Sequence, residues 1–156
     1  MKKIIITGAL GQDGIILSKI FIKNKYKVFG LINKNSKKFN TRVKYYNIKN
    51  KNFRSVKKKL NIISPNIIIH FGSNNPSFHR SFKKKDYLKN FKFTKKLINY
   101  VSKNKNIKFI LPSTSQIFKY SNKKVNENSK VKISSFYTRF RIDSSNYLLK
   151  MKKKFN

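Results

Sequence analysis

The chain has 156 residues, enough for one domain with a sizeable core and too few for two comfortable ones. It has no cysteine, which excludes disulfides and thiolate metal sites, and its four acids and two histidines offer little for any other metal site. Because no apolar run is long enough for a signal peptide or a membrane span, we expect a cytoplasmic protein with no membrane partner.

The formal net charge of +35 is the most unusual feature of the composition. Clustered lysine and arginine bind phosphate backbones, so nucleic-acid binding is a remote alternative. However, only five of the 39 basic residues are arginines, and the lysines are spread along the whole chain. The abundant lysine, asparagine, isoleucine and phenylalanine all have A- and T-rich codons, so base composition is the favoured explanation. The charge still favours acidic partners such as nucleotide phosphates.

Short apolar runs alternate along the chain with longer segments that repeat at helical spacing. The apolar runs predict strands at 3–7, 27–32, 43–46, 66–71 and 107–111. The helical spacing predicts helices at 14–24, 53–63, 87–101 and 137–152. In the first helix, we expect one apolar side formed by Ile15, Ile16, Leu17, Ile20 and Phe21. This alternation predicts an α/β fold with a doubly wound parallel sheet, the Rossmann architecture.

Three of the five glycines stand between the first strand and the first helix, at Gly8, Gly11 and Gly14. In a dinucleotide-binding loop, the first glycine permits the tight turn and the second lets a pyrophosphate approach the backbone. The third lets the helix pack closely on the strand, while the helix N-terminus offers N–H groups to the anion. A plain strand-to-helix turn is the alternative, but the flanking elements favour a phosphate site.

The spacing GxxGxxG preceded by Thr7 resembles the extended short-chain dehydrogenase/reductase family. Within it, residues 7–14 resemble the TGxTGQDG loop of GDP-mannose 4,6-dehydratases, and the pair Gln12-Asp13 is the most discriminating part. The resemblance implies that Gly8, Gly11, Gln12, Asp13 and Gly14 bind the cofactor.

Asn33 and Lys34 follow the second strand, where NAD-preferring proteins place an acid for the ribose hydroxyls. The similar dehydratases use NADP and have two arginines here, of which Lys34 keeps one charge. The resemblance therefore implies NADP, with NAD as the alternative.

Two later segments also match cofactor-binding segments of the family. Asn47-Ile48 replaces an Asp-Leu pair that holds the adenine, and Phe71-Gly72-Ser73 replaces a Leu-Ala-Ala segment whose small residues let backbone pass close to the cofactor. The neighbouring His70 is expected to be a packed or hydrogen-bonded strand residue rather than a ligand.

Tyr137 and Arg141 stand one helical turn apart in the last predicted helix. A tyrosine phenol ordinarily has a pKa of about 10, so an acid or base of this type needs a cation beside it. Short-chain dehydrogenases have the pattern YxxxK; Tyr137 matches the catalytic tyrosine, and Glu127 precedes it at the family's spacing. Arg141 takes the lysine position, where it keeps the charge but cannot shuttle a proton. A structural tyrosine is the alternative.

The residues after the fifth strand, 112–118, resemble the dehydratase segment STSELYG. The resemblance implies that the Thr114 hydroxyl binds the reacting oxygen of the sugar. Gln116 stands where the family has the glutamate that removes the C5 proton, and an amide has no basic lone pair for that step. Helix capping by residues 113–115 is the alternative.

The resemblance implies a nucleotide-sugar dehydratase or epimerase, most like GDP-mannose 4,6-dehydratase. Such an enzyme oxidises the sugar at C4, eliminates water across C5 and C6, and returns hydride at C6. The resemblance also implies one NAD(P)-binding domain over residues 1–156, C-terminally incomplete and lacking the substrate lobe, because the family continues well beyond this point. Family members form dimers or tetramers, so a homo-oligomer is an open expectation. A catalytically impaired NADP-binding module is the alternative function.

Overall fold

The computed structural model describes residues 1–32, 41–48, 52–73, 75–76, 80–119, 122 and 124–155. These residues form two compact units. Unit 1 comprises Met1–Ser73 and Tyr100–Pro112, and unit 2 comprises Asn74–Asn99 and Ser113–Asn156. Among the described helices, none is both long enough and apolar enough to cross a lipid bilayer.

Unit 1 contains a five-stranded parallel sheet with the order β3-β2-β1-β4-β5. Its strands are β1 Lys3–Thr7, β2 Lys27–Ile32, β3 Lys44–Asn47, β4 Ile67–His70 and β5 Lys108–Ile110. The chain adds strands outward from β1 on one side and then returns to add β4 and β5 on the other, which is the doubly wound arrangement. The predicted fold class is confirmed, and each predicted strand lies within two residues of its observed bounds.

The strands form at β-branched apolar runs, and these runs supply the core of unit 1. Ile4, Ile5 and Ile6 are fully buried, as expected for a central strand covered on both faces. Ile4 and Ile6 share one hydrophobic cluster with residues of β2 and β4, among them Val28 and Ile69. At this central position, burial of several isoleucines stabilises the sheet by roughly 1.5–3 kcal/mol for each side chain.

The first helix, α1, spans Gln12–Lys23 and corrects one expectation. Its buried positions are Gly14 and Ser18, whereas the side chains of Ile16 and Ile20 are 50% and 47% exposed. The predicted apolar side was therefore wrong for these two isoleucines. Gly14 lies against Gly8 and Ala9 of the glycine loop, and one turn later the Ser18 Oγ donates to the Gly14 carbonyl at 2.6 Å.

The second helix, α2, spans Phe53–Ile63, and a capping residue marks each of its ends. The Asn52 side chain accepts a hydrogen bond from the Arg54 N–H, an N-cap that satisfies one of the first free donors. The helix ends at Ser64, which has a left-handed backbone, and Pro65 follows. The apolar positions Val56, Leu60 and Ile63 are buried, as their helical spacing predicts.

Two further helices in the described part of the chain are α3, Lys84–Ser102, and α4, Phe136–Phe155, and a short 3₁₀ helix spans Ser115–Ile117. Reciprocal hydrogen bonds fix where α4 begins. The Ser135 Oγ accepts from the Thr138 N–H at 3.1 Å, and the Thr138 Oγ1 accepts from the Ser135 N–H at 3.0 Å. This capping box places Tyr137 in the first turn of α4.

Within unit 2, paired polar groups link α3 to α4. The Tyr87 hydroxyl donates to the Asp143 carboxylate at 2.8 Å, and the Tyr147 hydroxyl donates to the Asn99 side chain at 2.6 Å. Burial raises the pKa of Tyr87, and the hydrogen bond and negative charge of Asp143 raise it further. These half-buried tyrosines therefore keep a partner for each hydroxyl.

Candidate cofactor-binding and catalytic sites

Gly8 makes the turn at the carboxyl end of β1 and has no sterically acceptable substitute. Its φ is +71°, a left-handed backbone that favours glycine. A Cβ at this position would lie 3.0 Å from the Gly72 nitrogen and 3.0 Å from the Phe71 carbonyl carbon. The loop therefore lies against the end of β4, between the two strands where the sheet reverses its order. Ligands of doubly wound sheets bind at this switch point.

Gly14 and Gly11 have different neighbours, as the three-glycine pattern predicts. A Cβ on Gly14 would lie 2.6 Å from the Gly8 carbonyl oxygen and 2.8 Å from the Ala9 Cα, so close helix packing requires this glycine. Among the described residues, a Cβ on Gly11 would meet only the Gly8 carbonyl oxygen, at 3.3 Å. These residues therefore leave space beside Gly11, as a pyrophosphate would need.

The N–H groups of the loop are only partly available to an anion. The Gly8 N–H donates to the Leu31 carbonyl at 3.0 Å, and the Gly11 N–H donates to the Gly8 carbonyl at 2.9 Å. The N–H groups of Gln12, Asp13 and Gly14 have no acceptor among the described residues, and the N-cap Gly11 has no side chain to supply one. The start of α1 therefore presents uncapped donors and the positive end of the helix dipole.

A buried hydrogen-bond network of Thr7, His70 and Gly72 supports the glycine loop. The Thr7 Oγ1 accepts from the Gly72 N–H at 2.9 Å and lies 2.6 Å from the His70 Nδ1. Thr7 is 1% exposed and His70 is 2% exposed, so both are enclosed by protein. This confirms the expectation of a hydrogen-bonded strand histidine. It also gives Gly72 a second role, since a Cβ there would lie 2.8 Å from the Thr7 Oγ1.

Those of the remaining predicted cofactor residues that the structure describes lie at the same edge of the sheet. Asn47 ends β3 in register with Ile32, and the buried Ile48 donates its N–H to the Ile32 carbonyl at 2.7 Å. Phe71 and Ser73 directly follow β4, where the Ser73 N–H donates to the Phe71 carbonyl. Asn33 and Lys34 lie outside the described residues.

In unit 2, Gln116 lies on the 3₁₀ helix and Thr114 is its N-cap residue, and this helix packs against α4. The Thr114 Oγ1 accepts a long hydrogen bond from the Gln116 N–H at 3.4 Å, so Thr114 caps this helix. The capping alternative and a substrate contact are compatible, because the Thr114 hydroxyl keeps its own proton to donate. The Gln116 side chain is exposed.

Tyr137 and Arg141 are brought together on α4. The Arg141 guanidinium carbon lies 5.1 Å from the centroid of the Tyr137 ring and 5.2 Å from that of Phe140. Arg141 is 7% exposed, so its charge lies in a largely dry environment. Phe82 packs edge-on to the Tyr137 ring at 5.5 Å and stacks on Phe140 at 6.2 Å. The predicted tyrosine–cation pair therefore exists, with the cation on the ring face.

Two groups of residues near these positions were not predicted from the sequence. Asn75 accepts a hydrogen bond from an Arg141 terminal nitrogen at 3.1 Å, across 66 positions of sequence, and no local pattern signals such a contact. The capping pair Ser135 and Thr138 carries a local signal, hydroxyl residues at N-cap and N3. No group of three or more acidic or histidine side chains that could hold a metal occurs among the residues the structure describes.

The chain belongs to the NAD-dependent epimerase/dehydratase family, whose model matches residues 4–156. A search of curated proteins found no match to the chain.

Solved structures of nucleotide-sugar enzymes share the fold of this chain. The UDP-Glc/GlcNAc 4-epimerase of Campylobacter jejuni is 22% identical with a TM-score of 0.86, over 99% of this chain and 50% of that one. The UDP-glucose 4-epimerase of Thermotoga maritima is 22% identical with a TM-score of 0.84, over 98% and 52%. The dTDP-glucose 4,6-dehydratase of Bacillus anthracis, solved with NAD, is 16% identical with a TM-score of 0.82, over 99% and 51%. The chain thus spans about half the length of these proteins.

Proposed function

We propose that this chain is the dinucleotide-binding part of a nucleotide-sugar oxidoreductase that uses NADP and acts on GDP-mannose or a related sugar nucleotide. The observation that carries the proposal is the set of uncapped N–H groups at Gln12, Asp13 and Gly14, at the switch point of the sheet. Solved structures that share this fold, such as the dTDP-glucose 4,6-dehydratase of Bacillus anthracis, were determined in complex with NAD, which supports a nicotinamide cofactor. Lys34 and the lack of an acid beside it favour NADP.

The cofactor, when bound, accepts and returns a hydride. Tyr137 would act as the acid or base for the sugar hydroxyl, and the guanidinium carbon of Arg141 lies 5.1 Å from the centroid of its ring. The Thr114 hydroxyl would donate to the same sugar oxygen. These roles are compatible with oxidation at C4, in which the hydroxyl proton passes to Tyr137 and the hydride leaves from carbon.

Elimination of water is a separate step with a separate requirement. It needs a base to remove the C5 proton, and the amide of Gln116 cannot accept a proton near neutral pH. We therefore assign to the unaltered chain the C4 hydride transfer shared by dehydratases and 4-epimerases. The full 4,6-dehydratase reaction is assigned to the variant Gln116→Glu.

A second candidate is an NADP-binding module with impaired chemistry. The observation that favours it is that two side chains of unit 2 depart from the family pattern, Gln116 at the glutamate position and Arg141 at the lysine position. Under this candidate, the cofactor binds as before, but no sugar nucleotide is oxidised. The double variant Gln116→Glu with Arg141→Lys would then also fail to turn over.

The test combines cofactor titration with product analysis. Fluorescence titration with NADPH and NADH is expected to show saturable binding with preference for NADPH. GDP-mannose or UDP-glucose added to the NADP⁺ complex is expected to give reduced cofactor in a single turnover, and Gln116→Glu is expected to add a product lighter by one water. Tyr137→Phe is the inactive control.

The outcomes separate the candidates. Absence of binding for both cofactors contradicts the whole proposal. Binding without any reduction of cofactor, in both the unaltered chain and the double variant, supports the impaired module instead.

A further inference from the structure

The guanidinium of Arg141 is held by contacts on two sides. Its carbon lies over the rings of Tyr137 and Phe140, and one of its terminal nitrogens donates to the Asn75 Oδ1 at 3.1 Å. A guanidinium has five donors in a rigid plane, so an acceptor at one edge favours one orientation of the whole group. Asn75 is thus placed to decide where the charge of Arg141 lies relative to the Tyr137 ring.

We propose that Asn75 is a positioning residue that keeps Arg141 stacked on Tyr137, and this inference rests on the proposed function of that pair. Asn75 lies in the segment that follows β4, whereas Tyr137 and Arg141 lie on α4, and all three belong to unit 2. The contact therefore makes the position of the Arg141 side chain relative to Tyr137 depend on a segment that is far away in sequence.

The amide side chain of Asn75 suits this positioning role. Arginine is larger than the lysine that the family pattern has, and its long side chain has several rotatable bonds, so a nearby acceptor reduces the number of arrangements it adopts. The Asn75 oxygen accepts a hydrogen bond but carries no charge. It therefore orients the guanidinium without cancelling the positive charge that the Tyr137 phenol needs.

The orientation of Arg141 can be read directly by NMR, without any substrate. A side-chain N–H over the face of an aromatic ring resonates upfield, and the Arg141 signal is identified by its loss in Arg141→Lys. We expect Asn75→Leu, which has similar volume and no acceptor, to move this signal toward its ordinary position. Asn75→Asp, which keeps an acceptor oxygen, is expected to retain the upfield shift.

Asn61→Leu is the matched control, because Asn61 accepts a comparable hydrogen bond from the Tyr100 hydroxyl at 2.9 Å in unit 1. This variant is expected to leave the Arg141 signal unchanged. An unchanged Arg141 signal in Asn75→Leu would overturn the proposal, whatever the activity of the chain.

Turnover supplies the second readout. Loss of one hydrogen bond to a charged group is expected to lower kcat of Asn75→Leu by about tenfold with little change in KM, as expected for a residue that acts only through the orientation of Arg141. A displaced Arg141 signal with unaltered kcat contradicts the positioning role. If the unaltered chain has no activity, the proposed function fails, and the NMR signal still decides whether Asn75 orients Arg141.

Discussion

The two units differ in how they carry their part of the site. In unit 1, the predicted cofactor site is built from backbone: the shape of the loop depends on Gly8 and Gly14, and the free donors are main-chain N–H groups. In unit 2, the predicted chemistry depends on side chains, and two of them, Gln116 and Arg141, depart from the pattern that the sequence resembles.

This difference has a physical consequence for what the chain retains. A backbone site persists as long as glycines keep its geometry, whatever happens to the surrounding side chains. A site built from side chains loses a reaction step when one side chain is replaced, even if the backbone around it is intact. In unit 2, capping hydrogen bonds between Ser135 and Thr138 hold the backbone at the start of α4. We therefore expect cofactor binding and chemistry to respond to different variants.

Tyr137→Phe is the sharpest way to separate the two units. Removal of an acid or base typically costs roughly 100-fold to 10,000-fold in rate, so single-turnover reduction of NADP⁺ by the sugar nucleotide is expected to fall by at least that lower factor. The NADPH dissociation constant is expected to stay the same, because Tyr137 belongs to unit 2 and the loop donors belong to unit 1. Equal losses of binding and turnover would remove the distinction between the units.

Gly8→Ala tests whether the unit 1 site depends on backbone geometry. The positive φ and the close approach to Gly72 are expected to cost about 2–3 kcal/mol in the free energy of unfolding, measured by urea denaturation. Gly11→Ser is the matched control, since its Cβ meets only one atom and serine is a good N-cap. Equal stabilities of the two variants would contradict the steric account of the loop.

Thr7→Val removes the hydroxyl that links β1 to the end of β4. It leaves the Gly72 N–H and the His70 Nδ1 without this partner in a buried site, so a loss of about 2 kcal/mol in the free energy of unfolding is expected. Thr7→Ser keeps the hydroxyl and is expected to lose less than half as much. If serine and valine are equally destabilising, the network has no energetic role.

Alkaline pH is expected to have the smallest effect, and to act through unit 2. Burial and the Asp143 hydrogen bond raise the pKa of Tyr87, so its neutral phenol stabilises the fold below the ordinary value of 10.0, and this contribution is lost as pH rises through the raised pKa. The stability gap between the unaltered chain and Tyr87→Phe should therefore stay constant up to about pH 9 and narrow above about pH 10. A gap in urea denaturation that does not change between about pH 9 and about pH 11 would contradict the raised pKa.

Much of the fold could be predicted because strong local patterns agree with it. The isoleucine runs of β1 and β4 and the helical spacing of α2 each matched the final element closely. The face of α1 could not be predicted from hydrophobicity, since close packing of the loop selects Gly14 and Ser18 and leaves Ile16 and Ile20 half exposed. Apolar spacing shows which side chains of α1 can be buried, whereas the geometry of the glycine loop determines which of them are buried.

The candidate site was predictable to the extent that motifs are local. The glycine loop and the pair Tyr137–Arg141 could be read from their spacing. The contact of Asn75 with Arg141 and the bridge from Thr7 to Gly72 join residues more than 60 positions apart, and only the fold brings them together. The Gly11 N–H bonds to the Gly8 carbonyl within the turn itself, whereas the Gly8 N–H reaches the Leu31 carbonyl of β2, a contact that also depends on the fold.

The central claim, that uncapped N–H groups at the start of α1 bind the cofactor's diphosphate, is tested most directly by NADPH titration of Gly11→Asp. Aspartate at this N-cap would accept from the Asp13 and Gly14 N–H groups and place a negative charge at the anion site, while the helix stays capped. We expect the affinity to fall roughly 100-fold or more with stability retained, and Gly11→Asn to show a smaller loss because it adds no charge. An unchanged NADPH affinity in a folded Gly11→Asp chain would contradict the claim.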